Sequence, residues 1–225
     1  MINHLWIIMD WNRRWAKKRF LPSIAWHKAW ADNVEKIAIL AKNKWIKFLT
    51  LWGLSTDNLN KRDEVEVKDL IKIINSVKKY LKNIMNEWWK IEVIWDIQKL
   101  PQESQDILYE MIENTKDNSM ITIVLALVYW WQDEIIRATK NIIKEWINPD
   151  NLTKEEFRKY TDSGRFPKVD MIVRPGWDNR HSWFLLFDSE YAEYHFTDKM
   201  WPDYNEDELD KTIELFDKAN RRFWK

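Results

Sequence analysis

Five short stretches of the chain are almost wholly apolar and rich in Ile, Val and Leu: roughly residues 5–10, 47–54, 91–95, 120–129 and 169–174. Apolar runs of that length, without polar alternation, read as strands buried on both faces. Between them, apolar residues recur at helical spacing. Residues 28–43 place Val34, Ile37, Ala38 and Ala41 on one stripe. Residues 63–87 do the same with Val67, Leu70, Ile71, Ile74, Val77 and Leu81, and further helical patterns cover 101–115, 132–146 and 205–222. Alternation of strand and helix predicts an α/β fold, a central and mostly parallel β-sheet flanked by helices. No repeat, low-complexity stretch or Pro/Gly/Ser linker interrupts residues 1–225, so a single domain is expected. Ligands of such sheets bind beyond the carboxyl ends of the strands. That edge is where chemistry is expected.

Composition narrows the picture. The 36 basic and 36 acidic residues cancel, which gives no whole-surface footprint for nucleic acid. The absence of cysteine excludes a disulfide scaffold, a thiolate metal site and a cysteine nucleophile. The start of the chain lacks a basic segment followed by an apolar one, and the longest nearly apolar run, Met120 to Trp131, is too short to span a bilayer. A cytoplasmic protein is expected.

One feature of the composition is anomalous. There are 17 tryptophans and 3 glycines, where a chain of this length should carry about 16 glycines. Several tryptophans directly follow the apolar runs, as in Ile7-Ile8-Met9-Asp10-Trp11, Val93-Ile94-Trp95, Tyr129-Trp130-Trp131 and Pro175-Gly176-Trp177. Tight turns after strands favour glycine, which tolerates φ > 0 and lets backbone approach a ligand. Trp45 and Trp146 lie where helices should end, another glycine position. Two readings stand. The indoles are core or interface aromatics, or most of them replace glycines because UGA codons, read as glycine in some bacteria, are translated as tryptophan.

The strand ends carry the candidate chemistry. After the first strand, Asp10 is followed by Asn12, Arg13, Arg14, Lys17, Lys18 and Arg19. With a turn at position 11, backbone N–H groups and arginines would face an anion. Asp10 cannot itself attract phosphate, so a bridging divalent metal such as magnesium is implied; a solvated basic helix start is the bland alternative. After the second strand comes the polar run Ser55-Thr56-Asp57-Asn58-Leu59-Asn60-Lys61-Arg62, which by itself is also an ordinary capped loop. After the last strand, Arg174, Arg180 and Ser182 surround a glycine-containing turn and can grip a diphosphate. Glu193 stands among aromatics in Tyr191-Ala192-Glu193-Tyr194 and needs a partner or a metal if buried. Two anion-gripping clusters and two separated carboxylates point to two phosphorylated substrates and one divalent metal.

At these residues the sequence resembles the cis-prenyltransferases, the undecaprenyl diphosphate synthase family. Met9-Asp10-Trp11-Asn12-Arg13-Arg14-Trp15-Ala16 is similar to that family's Met-Asp-Gly-Asn-x-Arg-Trp-Ala. Ala25-Trp26-His27-Lys28-Ala29-Trp30 resembles its Gly-His-Lys-x-Gly segment, Leu54-Ser55-Thr56-Asp57-Asn58 its Phe-Ser-x-Glu-Asn loop, and Tyr129-Trp130-Trp131 its Tyr-Gly-Gly. Arg174-Pro175-Gly176-Trp177 with Arg180-His181-Ser182 resembles Arg-Thr-Gly-Gly and Arg-x-Ser. Tyr191-Ala192-Glu193, Phe196-Thr197-Asp198 through Trp201-Pro202-Asp203, and Arg221-Arg222-Phe223 resemble the closing blocks, so the likeness runs from His4 to Phe223. The family pattern has glycine at or near Trp6, Trp11, Trp26, Trp30, Trp95, Trp130, Trp131, Trp177 and Trp224, and tryptophan at Trp15 and Trp201.

The resemblance implies sequential cis condensation of isopentenyl diphosphate onto an allylic diphosphate such as farnesyl diphosphate, giving a polyprenyl diphosphate, a lipid carrier precursor for cell wall synthesis. It implies that Asp10 and Glu193 hold Mg2+, Glu193 from the partner subunit's side of a homodimer if not from its own. It places Asp10, Asn12, His27, Ser55 and Asn58 at the reacting centre. Trp11, Asn12, Arg13, Arg14, Trp15, Ser23, His27, Ser55, Thr56, Asp57 and Lys61 would line the substrate cleft, and Arg174, Arg180 and Ser182 would bind isopentenyl diphosphate. Apolar walls of helices 28–43 and 63–87 would form the hydrocarbon tunnel. Peripheral membrane contact is compatible with a lipid product, though no strongly basic amphipathic anchor is present. The chain departs from the family at Ser23 and Lys61, where arginine is usual, and at Phe20, Val128 and Pro175, where glycine, asparagine and threonine are frequent. A non-catalytic subunit of a heteromeric cis-prenyltransferase is the alternative; such chains tend to lose the first-strand aspartate, which is present here. A nucleotide-binding domain is disfavoured, because no Gly-x-Gly-x-x-Gly run arises near Asp10 even with glycine restored.

Overall fold

A computed structural model describes the chain apart from residues 11, 23–24, 54–70, 73, 76, 95–96, 181, 183–186 and 220–225, and describes only the backbone of Arg13 and His27. The five apolar runs form β1 (His4–Ile8), β2 (Phe48–Trp52), β3 (Trp89–Ile94), β4 (Ile121–Ala126) and β5 (Met171–Pro175). A sixth strand, β6 (Glu193–Thr197), joins at the edge. The order is β3-β4-β2-β1-β5-β6 and every pairing is parallel.

Strand periodicity divides the core into two layers. Leu5 and Ile7 of β1, Ile121, Ile123 and Leu125 of β4, and Met171 and Val173 of β5 face one layer. Trp6, Ile8, Val124, Ala126 and Ile172 face the other. Both faces being covered explains why these strands read as continuous apolar runs.

The first layer is closed by α2 (Ala25–Asn43), which buries Ile37, Ala38 and Ala41, by α4 (Gln102–Thr115) through Leu108 and Met111, and by α7 (Glu206–Lys218) through Leu209 and Phe216. Among the described residues, further α-helices are α1 (Asn12–Lys18), α3 (Leu81–Asn86), α5 (Trp131–Lys144) and α6 (Lys154–Lys159). Of the helix expected over 63–87, residues 63–70, 73 and 76 lie outside the described residues; 71–72 and 74–75 are helical, and a one-turn 3-10 segment, Val77–Tyr80, and α3 follow.

The strand expected over 120–129 stops at Ala126, because Val128 adopts a left-handed φ of 52° that ends pairing. β6 has no apolar run: Glu193, Tyr194, His195 and Phe196 are half-buried at the sheet edge, so its pattern gives no strand signal. α6 is a single short helix started by Thr153, whose hydroxyl accepts from the Glu156 N–H at 3.1 Å.

Candidate active site

β1 lies between β2 and β5, and the chain leaves it toward β2 before returning on its other side as β5. That reversal of strand order opens a crevice at the carboxyl ends of β1 and β5, the usual ligand position in an open parallel sheet. Asp10 stands past the end of β1, in a turn fixed by its own N–H donating to the Ile8 carbonyl at 2.8 Å. Arg174 is the next-to-last residue of β5, the strand beside β1.

The two meet across the crevice. Arg174 donates from Nε at 2.9 Å and from Nη2 at 2.6 Å to the same oxygen, Oδ2 of Asp10. Its Nη1 donates to the Ser182 hydroxyl at 2.6 Å and to the Arg180 carbonyl. The Arg174 side chain is 5% exposed and that of Asp10 33%. Burial beside the strand ends raises the Asp10 carboxyl above its ordinary value, with the Asp178 charge adding to the rise and Arg174 opposing it.

Of the cations expected here, Arg174 is thus built into the crevice. Arg180 is not aimed alongside it: its exposed guanidinium makes two bonds to Asp178, at 2.8 and 2.9 Å, and it is the Arg180 backbone that reaches Arg174. Asp178, which the sequence reading left without a role, also lies 3.6 Å from Arg174. Its signal was the i, i+4 spacing from Arg174. Arg14 is exposed on α1.

Asn12 opens α1. Its amide donates to the Met9 carbonyl at 2.8 Å, while its Oδ1 is buried without a hydrogen-bond partner. Hard oxygen donors of this kind suit Mg2+, which takes one or two protein oxygens and completes its shell from phosphate and water. The Asp10 carboxylate and Asn12 Oδ1 fit that role. Among the described residues no group of three His, Cys, Asp or Glu side chains could hold a metal by itself.

Glu193 does not join Asp10 within one chain. It opens β6 in register with Met171, which is itself level with Leu5 of β1. The three steps from Leu5 to Ile8 span roughly 10 Å along the strand direction, and Asp10 lies two residues beyond them. That register does not bring Asp10 and Glu193 of the same chain together.

α1 is clamped by the Trp201–Asp203 turn. Trp15 Nε1 donates to Asp203 Oδ1 at 2.8 Å, and Arg19 bonds both Asp203 oxygens at 3.0 and 2.9 Å. The Trp201 N–H reaches the Asp10 carbonyl at 3.4 Å, and Asn33 of α2 donates to the Trp201 carbonyl at 2.6 Å. Trp15 therefore positions the helix that follows Asp10. Asp203 and Asn33 are supports that charge patterning alone does not reveal. Lys18 lies 3.9 Å over the Trp177 ring, tying α1 to the loop after β5. Trp11, Ser23, Ser55, Thr56, Asp57, Asn58 and Lys61, and the side chains of Arg13 and His27, lie outside the described residues.

The Prenyltransf family model, that of undecaprenyl diphosphate synthase, matches residues 8–224. An isoprenyl transferase of Treponema denticola is 37% identical over 223 residues, covering 99% of this chain and 97% of the relative. An isoprenyl transferase of Clostridium perfringens is 34% identical over 228 residues, covering 99% and 90%. Among solved structures, lavandulyl diphosphate synthase from Lavandula x intermedia, in complex with dimethylallyl diphosphate, superposes with a TM-score of 0.93 at 26% identity, covering 98% and 97%. A probable undecaprenyl diphosphate synthase from Campylobacter jejuni gives 0.85 at 25% identity, covering 100% and 99%. The relatives' enzyme names do not favour the non-catalytic subunit alternative. With a match over nearly its whole length, the chain belongs to the undecaprenyl diphosphate synthase family of prenyltransferases.

Proposed function

We propose that the chain condenses isopentenyl diphosphate with an allylic diphosphate, forming a cis double bond and a polyprenyl diphosphate. The observation that carries this reading is the Asp10–Arg174 pair at the sheet's crevice, in a chain of the prenyltransferase family. In this reaction the allylic C1–O bond breaks, a C–C bond forms at C1, diphosphate leaves and the attacking isoprene loses a proton. Charge develops on the leaving diphosphate, so preorganised cations stabilise the transition state most.

Arg174, held by Asp10 and Ser182, presents a guanidinium whose position is fixed before substrate arrives. Ser182 and Arg174 bind one diphosphate. Arg13, Arg14 and the amides opening α1 bind the other, and Asp203 holds α1 in place for it. Arg180 contributes only if it exchanges Asp178 for substrate. Asp10, with Asn12 Oδ1 nearby, would hold Mg2+, which when bound would neutralise charge on the allylic diphosphate. Asn12, His27, Ser55 and Asn58 are assigned to the reacting centre, and Trp11, Trp15, Ser23, Thr56, Asp57 and Lys61 to the substrate cleft, by the family motifs they match. Glu193 belongs to a metal site only across a homodimer. Cytoplasmic residence with peripheral membrane contact fits a lipid product; no helix among the described residues is long and apolar enough to cross a membrane.

The test is incorporation of labelled isopentenyl diphosphate into extractable lipid with Mg2+ and farnesyl diphosphate. It is run on the chain as written and on one with Trp→Gly at 11, 26, 30, 95, 130, 131 and 177. Label lost on chelation and restored by Mg2+ supports the metal role. Activity unchanged by chelation overturns it.

A further inference from the structure

Three helices end at a tryptophan with a left-handed φ, and two of them share a paired hydrogen-bond pattern. After α2, the Trp45 N–H donates to the Lys42 carbonyl at 3.0 Å and the Ile46 N–H to the Ala41 carbonyl at 3.0 Å. After α5, the Trp146 N–H donates to Ile143 at 3.2 Å and the Ile147 N–H to Ile142 at 3.2 Å. After α3, the Trp88 N–H donates to Met85 at 3.1 Å. The paired bonds are the Schellman ending, which requires a left-handed residue just past the helix and is filled by glycine, less often by asparagine. The residues there have φ of 64°, 54° and 55°. In that region a Cβ presses on the neighbouring carbonyl oxygen, and for a bulky side chain the conformation is an outlier.

The side chains give no reason to accept that strain. Trp45, Trp88 and Trp146 are 66%, 57% and 91% exposed. Indoles normally repay their size by burial, with the N–H paired. Lys47 lies 5.7 Å from the Trp45 ring, at the outer limit of useful attraction. Trp15 and Trp201 behave differently. Trp201 is fully buried, both indole N–H groups find acceptors, and neither residue has a positive φ. These five tryptophans thus fall into two groups, Trp15 and Trp201 working as indoles and Trp45, Trp88 and Trp146 standing where glycine relaxes the backbone. Of the six positive-φ residues other than glycine among the described residues, three are tryptophan, a type that fills 17 of 225 positions.

We propose that Trp45, Trp88 and Trp146 are glycines in the natural protein, encoded by UGA read as glycine. One codon accounts for glycine being replaced always by the same residue, and for a chain with 3 glycines and 17 tryptophans. Phe20 marks the boundary of the proposal. It ends α1 in the same way, its N–H on Lys17 at 3.2 Å and the Leu21 N–H on Ala16 at 3.0 Å, with φ of 55°. No phenylalanine codon is UGA, so Phe20 is a true and strained phenylalanine.

The same reading reaches the active site. Trp177 follows Gly176, whose φ is 110°, in the loop beside Arg174. Its half-exposed indole holds Lys18. Glycine at 177 would release the Lys18 ammonium from that contact.

The test is peptide mass spectrometry of the protein purified from the organism that carries the gene, beside the codons at these positions. The proposal expects UGA and glycine at 45, 88 and 146, with phenylalanine at 20. UGG codons, or peptides with tryptophan at these positions, overturn it. A second readout needs no native source. Trp45→Gly, Trp88→Gly and Trp146→Gly together should raise the urea midpoint of the recombinant chain, and a lowered midpoint would refute the strain on which the inference rests. Neither result depends on catalysis, so the inference and the proposed reaction fail separately.

Discussion

Arg174→Lys is the sharpest probe of the crevice. The guanidinium makes two bonds to Asp10 Oδ2, at 2.9 and 2.6 Å, and with its other edge reaches the Ser182 hydroxyl at 2.6 Å and the Arg180 carbonyl. A lysine keeps the charge but cannot hold both edges at once, because its ammonium is a single point on a flexible stem. Hydrogen bonds to charged groups contribute about 1.5–3 kcal/mol each. Losing the Ser182 edge and one Asp10 bond removes about 3–6 kcal/mol of the interactions that hold the guanidinium in place before substrate binds. If about half of that is needed to re-place the charge in the transition state, the loss is about 10–10²-fold in kcat/KM. The assay is steady-state incorporation of isopentenyl diphosphate at saturating allylic primer, in the glycine-substituted background, with thermal unfolding to verify the fold. The loss should fall mainly on the KM for isopentenyl diphosphate. A folded Arg174→Lys enzyme within about threefold of its parent would refute the claim that fork geometry, rather than charge, organises the site.

Other outcomes follow from the same structure. His4 is buried, its ring bonded to the Pro167 carbonyl and the Thr50 hydroxyl, and burial pushes its pKa down from 6.5 to about 4. The unfolded chain takes up that proton first, so stability is whole above about pH 6.5 and falls toward pH 4, by about 2 kcal/mol between pH 8 and pH 5. Urea unfolding at the two pH values should show a smaller loss in His4→Asn; equal losses would contradict it. Asp203→Ala frees Trp15 and Arg19, and should raise the KM for the allylic diphosphate several-fold while kcat changes little, as kinetics with varied primer would show. Asn205→Ala removes the cap of α7, where Asn205 Oδ1 accepts from the Glu208 N–H at 3.2 Å, and should lower stability by about 1 kcal/mol in urea titration.

The apolar runs made β1 to β5 readable, because a strand buried on both faces has no competing pattern. β6 was hidden because an edge strand needs less burial: Glu193-Tyr194-His195-Phe196 carries no run. Asp10, Arg174 and Ser182 were legible as chemistry at strand ends, and the structure brings them together. The placement of Arg180 was not legible, since nothing in its spacing says that Asp178 captures its guanidinium. The separation of Glu193 from Asp10 within one chain was not legible, for a topological reason. Motif order shows that a carboxylate follows β5, but only the parallel register shows it at the far end of the sheet from Asp10. Trp45 and Trp146 were readable as helix ends from their neighbours, whereas Trp88 emerged only from its backbone angle.

The central claim is tested most directly by giving the glycine-substituted chain Mg2+, farnesyl diphosphate and labelled isopentenyl diphosphate. The account predicts labelled extractable lipid, abolished by Asp10→Ala in a protein that still folds. A folded parent that yields no label with several allylic primers, or an Asp10→Ala chain as active as its parent, would contradict it.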